Sequence, residues 1–257
     1  RPPRSTPLYS SAASDVYKRQ ALKEMGFISE KTLNTFGKNG SILMSHTSHK
    51  VPGINLSTGS LGHGLPVATG VVLANKINKK KSKMFVLLSD GELDEGSNWE
   101  SILFSSHHKL KNLTIIVDYN KLQSIDTIKN TLNLEPLKQK FEAFGCKVLS
   151  IDGHNFKHIL KALNSKSSKP LVIIANTIKG KGVSFMENKV EWHYKSPDEN
   201  QLKTALSEFF HSKIQEISIF LIAFKDVIKS STTAYLPNRV SSRKWRSACT
   251  LTIAQNM

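Results

Sequence analysis

Arginine is missing from the middle of this chain. Residues 21–206 hold 25 lysines and no arginine, while all six arginines fall at Arg1, Arg4, Arg19, Arg239, Arg243 and Arg246. A coding bias against arginine would reach the ends too, and it does not. The ends are therefore expected to be foreign to the domain. Residues 1–20 read like translated adapter sequence, and residues 211–257 read as a tail that is foreign or disordered after about 230. The domain itself is expected over 21–210. Cysteine is also scarce. Cys146 and Cys249 have no metal-ligand spacing, which excludes a zinc module and favours a reducing cytoplasm over a disulfide framework. Long apolar runs are lacking. The most apolar tail stretch, Ile217 to Phe224, is far shorter than the roughly 18 residues of a membrane span, so no membrane partner is expected. The net charge of +16 invites a nucleic-acid reading, but aromatics interleaved with basic residues are absent. Apart from Lys79, Lys80 and Lys81 the lysines look scattered, and a solvated lysine face is the expectation.

What is present is alternation. Short apolar runs at Met84–Leu88, Leu113–Val117, Lys147–Ile151 and Leu171–Ala175 read as buried strands. Between them the pattern predicts helices over Glu95–Lys109, from near Glu135-Pro136 to Phe144, and over Phe156–Leu163. A small-residue helix from Gly62 to about Asn78 precedes the first strand. Ser29 is a plausible N-cap for Glu30 to Phe36, and Asp198 for a helix through about Phe210. Residues 41–60 and Ile178–Pro197 read as loops. Strands alternating with helices predict an α/β fold: a doubly wound, mostly parallel sheet with helices on both faces. Ligands of such sheets gather at the carboxyl ends of the strands. Those ends are Ser89-Asp90-Gly91, Asp118-Tyr119-Asn120, Asp152-Gly153-His154 and Thr177.

Asp90 sits where a buried run stops and a glycine follows. Taken alone, Asp-Gly is an ordinary turn. Asn120 lies thirty residues on, at the end of the next strand, with one βα unit between. A parallel sheet brings the two side chains to one edge. A carboxylate, an amide oxygen and nearby carbonyls make a hard oxygen site for Mg²⁺ or Ca²⁺, and so few protein donors need phosphate oxygens to complete the shell. The pair is far more specific than either residue.

The runs SDGELDEG and IIVDYNKLQ, in that order, resemble the thiamine-diphosphate motif, a GDG followed about thirty residues later by an asparagine. Together with SHTSHKVPGINLSTGSLGHGLPVATG (45–70), LEPLKQKFEAFGCKVLSIDGHN (134–155) and KPLVIIANTIKGKGVSFMENKVEWH (169–193), they are similar to transketolase, especially the separately encoded N-terminal subunit of split transketolases. The resemblance covers about residues 21–208. It implies the thiamine-diphosphate-binding fold, in its diphosphate-binding domain. By position it implies metal ligation by Asp90 and Asn120 side chains and the Leu122 carbonyl. It implies diphosphate contact at Gly91, aminopyrimidine contact at Gly59 and Leu61, and a place for Glu95 near a subunit interface. His193 would face diphosphate and substrate, with His46 or His49 at the substrate mouth. The implied reaction moves a two-carbon ketol unit from a ketose phosphate to an aldose phosphate. The pyrimidine-binding domain, which supplies the activating glutamate, has no counterpart in the sequence. The resemblance therefore implies a C-terminal, pyrimidine-binding partner subunit in a hetero-oligomer of dimeric type.

Each residue has a plainer reading. Gly59, Gly62 and Gly64 could simply open a helix. His63 reads as structural or solvent-facing, His107 and His108 as helix surface, and His154 as either structural or functional. Lys179 and Lys181 could meet phosphate, but an exposed loop pair is the default. Glu95 could be a first-turn residue favoured by the helix dipole. Two departures stand out: Ser89 replaces the motif's first glycine, and Ser45-His46-Thr47 replaces Gly-His-Pro. The family's first segment, with further histidines, is not seen. The rival readings are a deoxyxylulose-phosphate synthase, a 2-oxoacid dehydrogenase component, or a non-catalytic cofactor-binding fragment.

Overall fold

The computed structural model describes residues 19–44, 46, 48–57, 59–193, 195–211 and 251–253. Most of the two terminal segments expected to be foreign therefore lies outside the described residues. Arg19, from the first of them, is buried. Its guanidinium donates to the Met44 carbonyl and lies 4.4 Å over the Phe36 ring.

The described elements run α1 (Glu30–Leu33), α2 (Gly64–Ile77), β1 (Met84–Ser89), α3 (Gly96–His107), β2 (Leu113–Tyr119), α4 (Ile128–Thr131), α5 (Leu137–Ala143), β3 (Lys147–Asp152), α6 (Phe156–Leu163), β4 (Leu171–Asn176), α7 (Glu199–His211) and β5 (Leu251–Ile253). The strands form one sheet in the order β3-β4-β2-β1-β5, and every pairing is parallel. The expected α/β architecture is thus observed, with a sheet that is wholly rather than mostly parallel.

Period-two alternation along each strand feeds two cores. Met84, Val86 and Leu88 share one face with Leu113, Ile115, Val117 and Tyr119 of β2 and Val172 and Ile174 of β4. They pack on Leu65, Ala68 and Val72 of α2, Ile102 of α3 and Leu137 and Phe141 of α5. The opposite face presents Phe85, Leu171 and Ile173 to Ala162 and Leu163 of α6. Helices therefore cover both faces, and β1, β2 and β4 read as continuous apolar runs because most of their residues are shielded from water on both faces, whereas the edge strand β3 is only half-buried. A third, small cluster of Ile28, Leu43 and Val51 lies beneath the loops that precede α2.

Capping explains several boundaries. Ser29 accepts from the Thr32 amide and starts α1, which ends at Leu33 instead of reaching Phe36. Asp198 and Gln201 exchange side-chain to backbone bonds at 3.0 and 2.8 Å, a reciprocal capping box ahead of α7. Two pieces escape periodicity: the 3₁₀ turns Gly91–Asp94 and Val190–His193. The single turn α4 also escapes it, closed by the Thr127 side chain accepting from the Asn130 amide. Among the described residues no helix is long and apolar enough to cross a membrane.

Candidate functional site

The register decides the site. Ser89 pairs with Asp118, and the Asp90 amide donates to the Asp118 carbonyl at 3.2 Å. Asp90 therefore stands beside the end of β2, as the thirty-residue spacing predicts. Its side chain is 1% exposed. One carboxylate oxygen accepts from the Gly91 amide at 2.8 Å, and the other from the Lys121 amide at 2.6 Å. Asn120, also buried, turns its Oδ1 back onto the Leu122 amide at 3.0 Å. One carboxylate, one amide oxygen and the backbone of Lys121-Leu122 thus share one patch at the carboxyl edge of the sheet.

The electrostatics mark this patch out. Desolvation pushes the Asp90 carboxyl up to about 6, against the pull of the Lys121 amide, and the neighbouring charge of Asp118 raises it further. Asp118 is itself pushed up by burial, although it accepts from the Thr177 hydroxyl. Lys179 is the cation facing both carboxylates, and burial pulls its ammonium below the usual range. Two desolvated carboxylates against one lysine leave the edge short of positive charge. Among the described residues no three His, Cys, Asp or Glu side chains gather as a metal cluster. The available donors are instead hard oxygens in small number, the set suited to Mg²⁺ or Ca²⁺ carrying phosphate. The residues present therefore fit a metal-bound diphosphate.

His193 reaches the same edge from the loop after β4. It is half-buried, and desolvation, then the Lys179 charge, lower its pKa to about 4, so it is neutral at physiological pH. The loop that carries Lys179 and His193 is folded on itself. The Ile178 amide donates to His154 Nε2 at 2.8 Å, and the Gly182 amide to Glu187 at 3.0 Å. Gly180 has φ +73°, and a Cβ there would lie 2.6 Å from the Met186 carbonyl oxygen, so only glycine fits. His154 is thus an acceptor that helps to hold the loop.

The glycine-rich turn before α2 docks on the segment after Asp90. The Gly62 amide donates to the buried Glu92 carboxylate at 3.0 Å, and the Ser97 hydroxyl to the Gly62 carbonyl at 2.7 Å. Gly62 has φ +79°, and a Cβ would come within 2.6 Å of Ser97 Oγ and 2.7 Å of Glu95 Cβ. That is more than a glycine opening a helix. Leu61 is half-buried beside this turn, and Gly59 is exposed with His46 alongside it, 3.6 Å from the place of a Cβ. Glu95 is exposed at the N-cap of α3. His49 is exposed and bonds Ser57 at 2.7 Å. The contacts of His46 and His49 are thus within their own loop, whereas Asp90, Gly91 and Asn120 meet at one edge and His193 feels the charge of Lys179 beside them.

One expectation is corrected. Lys179 is not an exposed partner of Lys181: Lys181 pairs with Glu187 at 3.4 Å, while Lys179 turns inward to Asp118 and Asp90. A register signal exists in the sequence, because Lys179 follows the β4 end by three residues, but side-chain direction is not encoded there. Sequence reasoning also misses Glu92, and it places Asp118 and Thr177 at strand ends without giving either a role. Asp118 occupies the penultimate position of β2, where alternation alone gives no reason to expect a half-buried acid.

The family described as "Transketolase, thiamine diphosphate binding domain" matches residues 12–249. Over 190 residues the chain is 46% identical to one subunit of the apulose-4-phosphate transketolase of Actinobacillus succinogenes, covering 73% of this chain and 69% of that one. It is 39% identical over 198 residues to the 6-deoxy-6-sulfo-D-fructose transketolase subunit SqwG of a Clostridium species, covering 75% of this chain and 71% of that one. The crystal structure of transketolase from Campylobacter jejuni superposes with a TM-score of 0.71 at 28% identity. The superposition covers 86% of this chain but 39% of that one, so the chain spans about two fifths of that transketolase. With the family matched over most of its length and the fold shared, this chain belongs to the transketolases, in the N-terminal, thiamine-diphosphate-binding part that some members encode as a chain of its own.

Proposed function

We propose that the chain holds the diphosphate and metal half of a transketolase site and transfers a two-carbon ketol unit from a ketose phosphate to an aldose phosphate together with a pyrimidine-binding partner subunit. The observation that carries this reading is the desolvated Asp90 carboxylate beside Asn120 at the carboxyl edge. Thiamine diphosphate, when bound, supplies the carbon nucleophile and electron sink for moving the two-carbon unit. The Asp90 and Asn120 side chains and the Leu122 carbonyl would hold Mg²⁺ or Ca²⁺, and the backbone at Gly91 would lie along the diphosphate. Gly91 carries no side chain, and Gln123 lies alongside it, 3.4 Å from the place of a Cβ.

The other residues of the edge have distinct tasks. Lys179 supplies positive charge toward phosphate once a metal answers Asp90. His193, neutral at working pH, donates or accepts a hydrogen bond near the diphosphate and substrate without adding charge. Gly59 and Leu61 would line the aminopyrimidine side, with His46 and His49 toward the substrate mouth and Glu95 toward the partner. The names of the two bacterial relatives support a two-chain site, since a subunit implies a companion. The setting proposed is the cytoplasm, where sugar phosphates abound and a thiol such as Cys146 stays reduced.

Two measurements test this. Calorimetry with thiamine diphosphate and Mg²⁺ is expected to show metal-dependent binding in the wild type and none in Asp90→Ala. Equal binding by both would overturn the assignment. Turnover of a ketose phosphate and aldose phosphate pair is expected only when a cognate pyrimidine-binding protein is added. Full turnover by the chain alone would contradict the two-chain reading.

A further inference from the structure

Tyr119 ends β2 immediately before Asn120. It is 4% exposed, and its ring lies in the main core with Val117, Ile115 and Leu113. A tyrosine in such a place needs a partner for its hydroxyl. That hydroxyl reaches the rim of the fold, where it donates to Glu135 Oε1 at 2.5 Å. The other oxygen of Glu135 accepts from the Leu137 amide at 2.8 Å, at the first residue of α5, and the Glu135 amide donates to Asn133 at 3.0 Å. One carboxylate therefore joins the end of β2 to the start of α5, where Leu134 and Leu137 are anchored in the core.

Everything between the two ends of this bond forms a closed loop, and the proposed cation donors sit at its start. The Lys121 amide points at Asp90, and its carbonyl accepts from the Ile128 amide at 3.1 Å. Leu122 donates to Asn120 and bridges to Thr127. The Gln123 amide donates to the Asp126 carbonyl at 2.8 Å. Lys121 has φ +66°, and its ammonium lies 5.6 Å over the Tyr119 ring. A non-glycine residue in the left-handed region persists only when its surroundings hold it there. The Tyr119 to Glu135 bond closes the base of the loop that does so.

We infer that Tyr119 and Glu135 act as a positioning clasp that sets Asn120 and the Leu122 carbonyl for cation binding, without touching the cation. This inference rests on the reading of Asp90, Asn120 and Leu122 as the donors. Outer groups that orient ligands are worth about 10–100-fold in metal affinity.

The test is Mg²⁺ titration of the full chain in saturating thiamine diphosphate, read by calorimetry, with hydrogen exchange of the Lys121 and Leu122 amides followed in metal-free protein. Tyr119→Phe keeps the ring and its packing, and Glu135→Ala lies at the surface, so both fold. Each is expected to weaken Mg²⁺ binding about tenfold and to speed exchange at the two amides. The double variant is expected to lose no more than Glu135→Ala alone, because that change already removes the bond that Tyr119→Phe removes. Glu135→Gln, which still offers an acceptor, is expected to recover most of the affinity. Mg²⁺ binding by Tyr119→Phe within twofold of wild type, or losses that add in the double variant, would overturn the clasp. Absence of any Mg²⁺-dependent binding in the wild type would instead overturn the proposed function, and the clasp with it.

Discussion

The two edges of the sheet carry opposite charge and treat it differently. Along the amino edge, the connections 74–83, 105–112, 143–147 and 163–170 contain ten lysines and no aspartate or glutamate. Most of those side chains are exposed, and the bonds they make join one connection of the edge to another. Lys76 donates to the His108 carbonyl at 2.5 Å, and Lys147 to the Ser165 hydroxyl and the Lys166 carbonyl. Along the carboxyl edge, Asp90 and Glu92 are buried, Asp118 is half-buried and desolvated, and Lys179 faces the two aspartates. The amino edge holds more charge, but water screens each lysine and little energy is stored there. The carboxyl edge holds less charge at higher cost, and that cost is what a divalent cation and its phosphates would relieve. Desolvation, more than charge number, marks the candidate site.

Breaking the carboxyl edge at its centre should have the largest effect. Asp90→Ala is expected to weaken Mg²⁺-dependent cofactor binding by more than about a hundredfold, because a metal site with two side-chain donors loses one. Calorimetry checks it. Next in size is Gly62→Ala. The left-handed backbone and the contacts with Ser97 and Glu95 predict a loss of about 2–4 kcal/mol, read as a lowered midpoint in denaturant.

The third expectation concerns pH. The folded Asp90 carboxyl lies at about 6, above its ordinary 3.8, so the folded chain holds this proton more tightly than the unfolded chain. Its contribution to stability is fully present below about pH 4 and is lost as pH rises through about 6, by roughly 2–3 kcal/mol. Asp90→Asn should flatten that slope in metal-free protein. Saturating Mg²⁺ and thiamine diphosphate should reverse its sign, since the cation binds the ionised form. Thermal melts between pH 4 and 8 decide both points. The smallest effect is expected on the other edge. Replacing Lys79, Lys81, Lys109 and Lys111 by glutamine should leave cofactor affinity within about twofold and change mainly its salt dependence. A larger drop would mean that the amino edge contributes to the site after all.

Much of the site was readable because a parallel sheet turns linear spacing into geometry. Asp90 and Asn120, one βα unit apart, had to meet, and the Ser89 to Asp118 register shows that they do. Strand positions were equally readable, since apolar runs buried on both faces have few other uses. The 3₁₀ turn Gly91–Asp94 and α4 were not, because each is set by capping side chains and has no period of its own. The lysines looked scattered along the chain, and only the folding of four separate connections to one edge gathers them.

By itself, the sequence determined the alternation of strand and helix, the strand ends where the candidate site lies, and glycines such as Gly62 that admit close approach. Those follow from local rules of burial and turn geometry. The tertiary structure alone decided which polar groups lose their water. Asp118 and Lys179 have ordinary places in the sequence, and each acquires its character from neighbours far along the chain. Tyr119 and Glu135 are likewise joined across a loop that no periodicity records. Solvation is a property of the assembled neighbourhood, so it is the last thing a linear pattern can show.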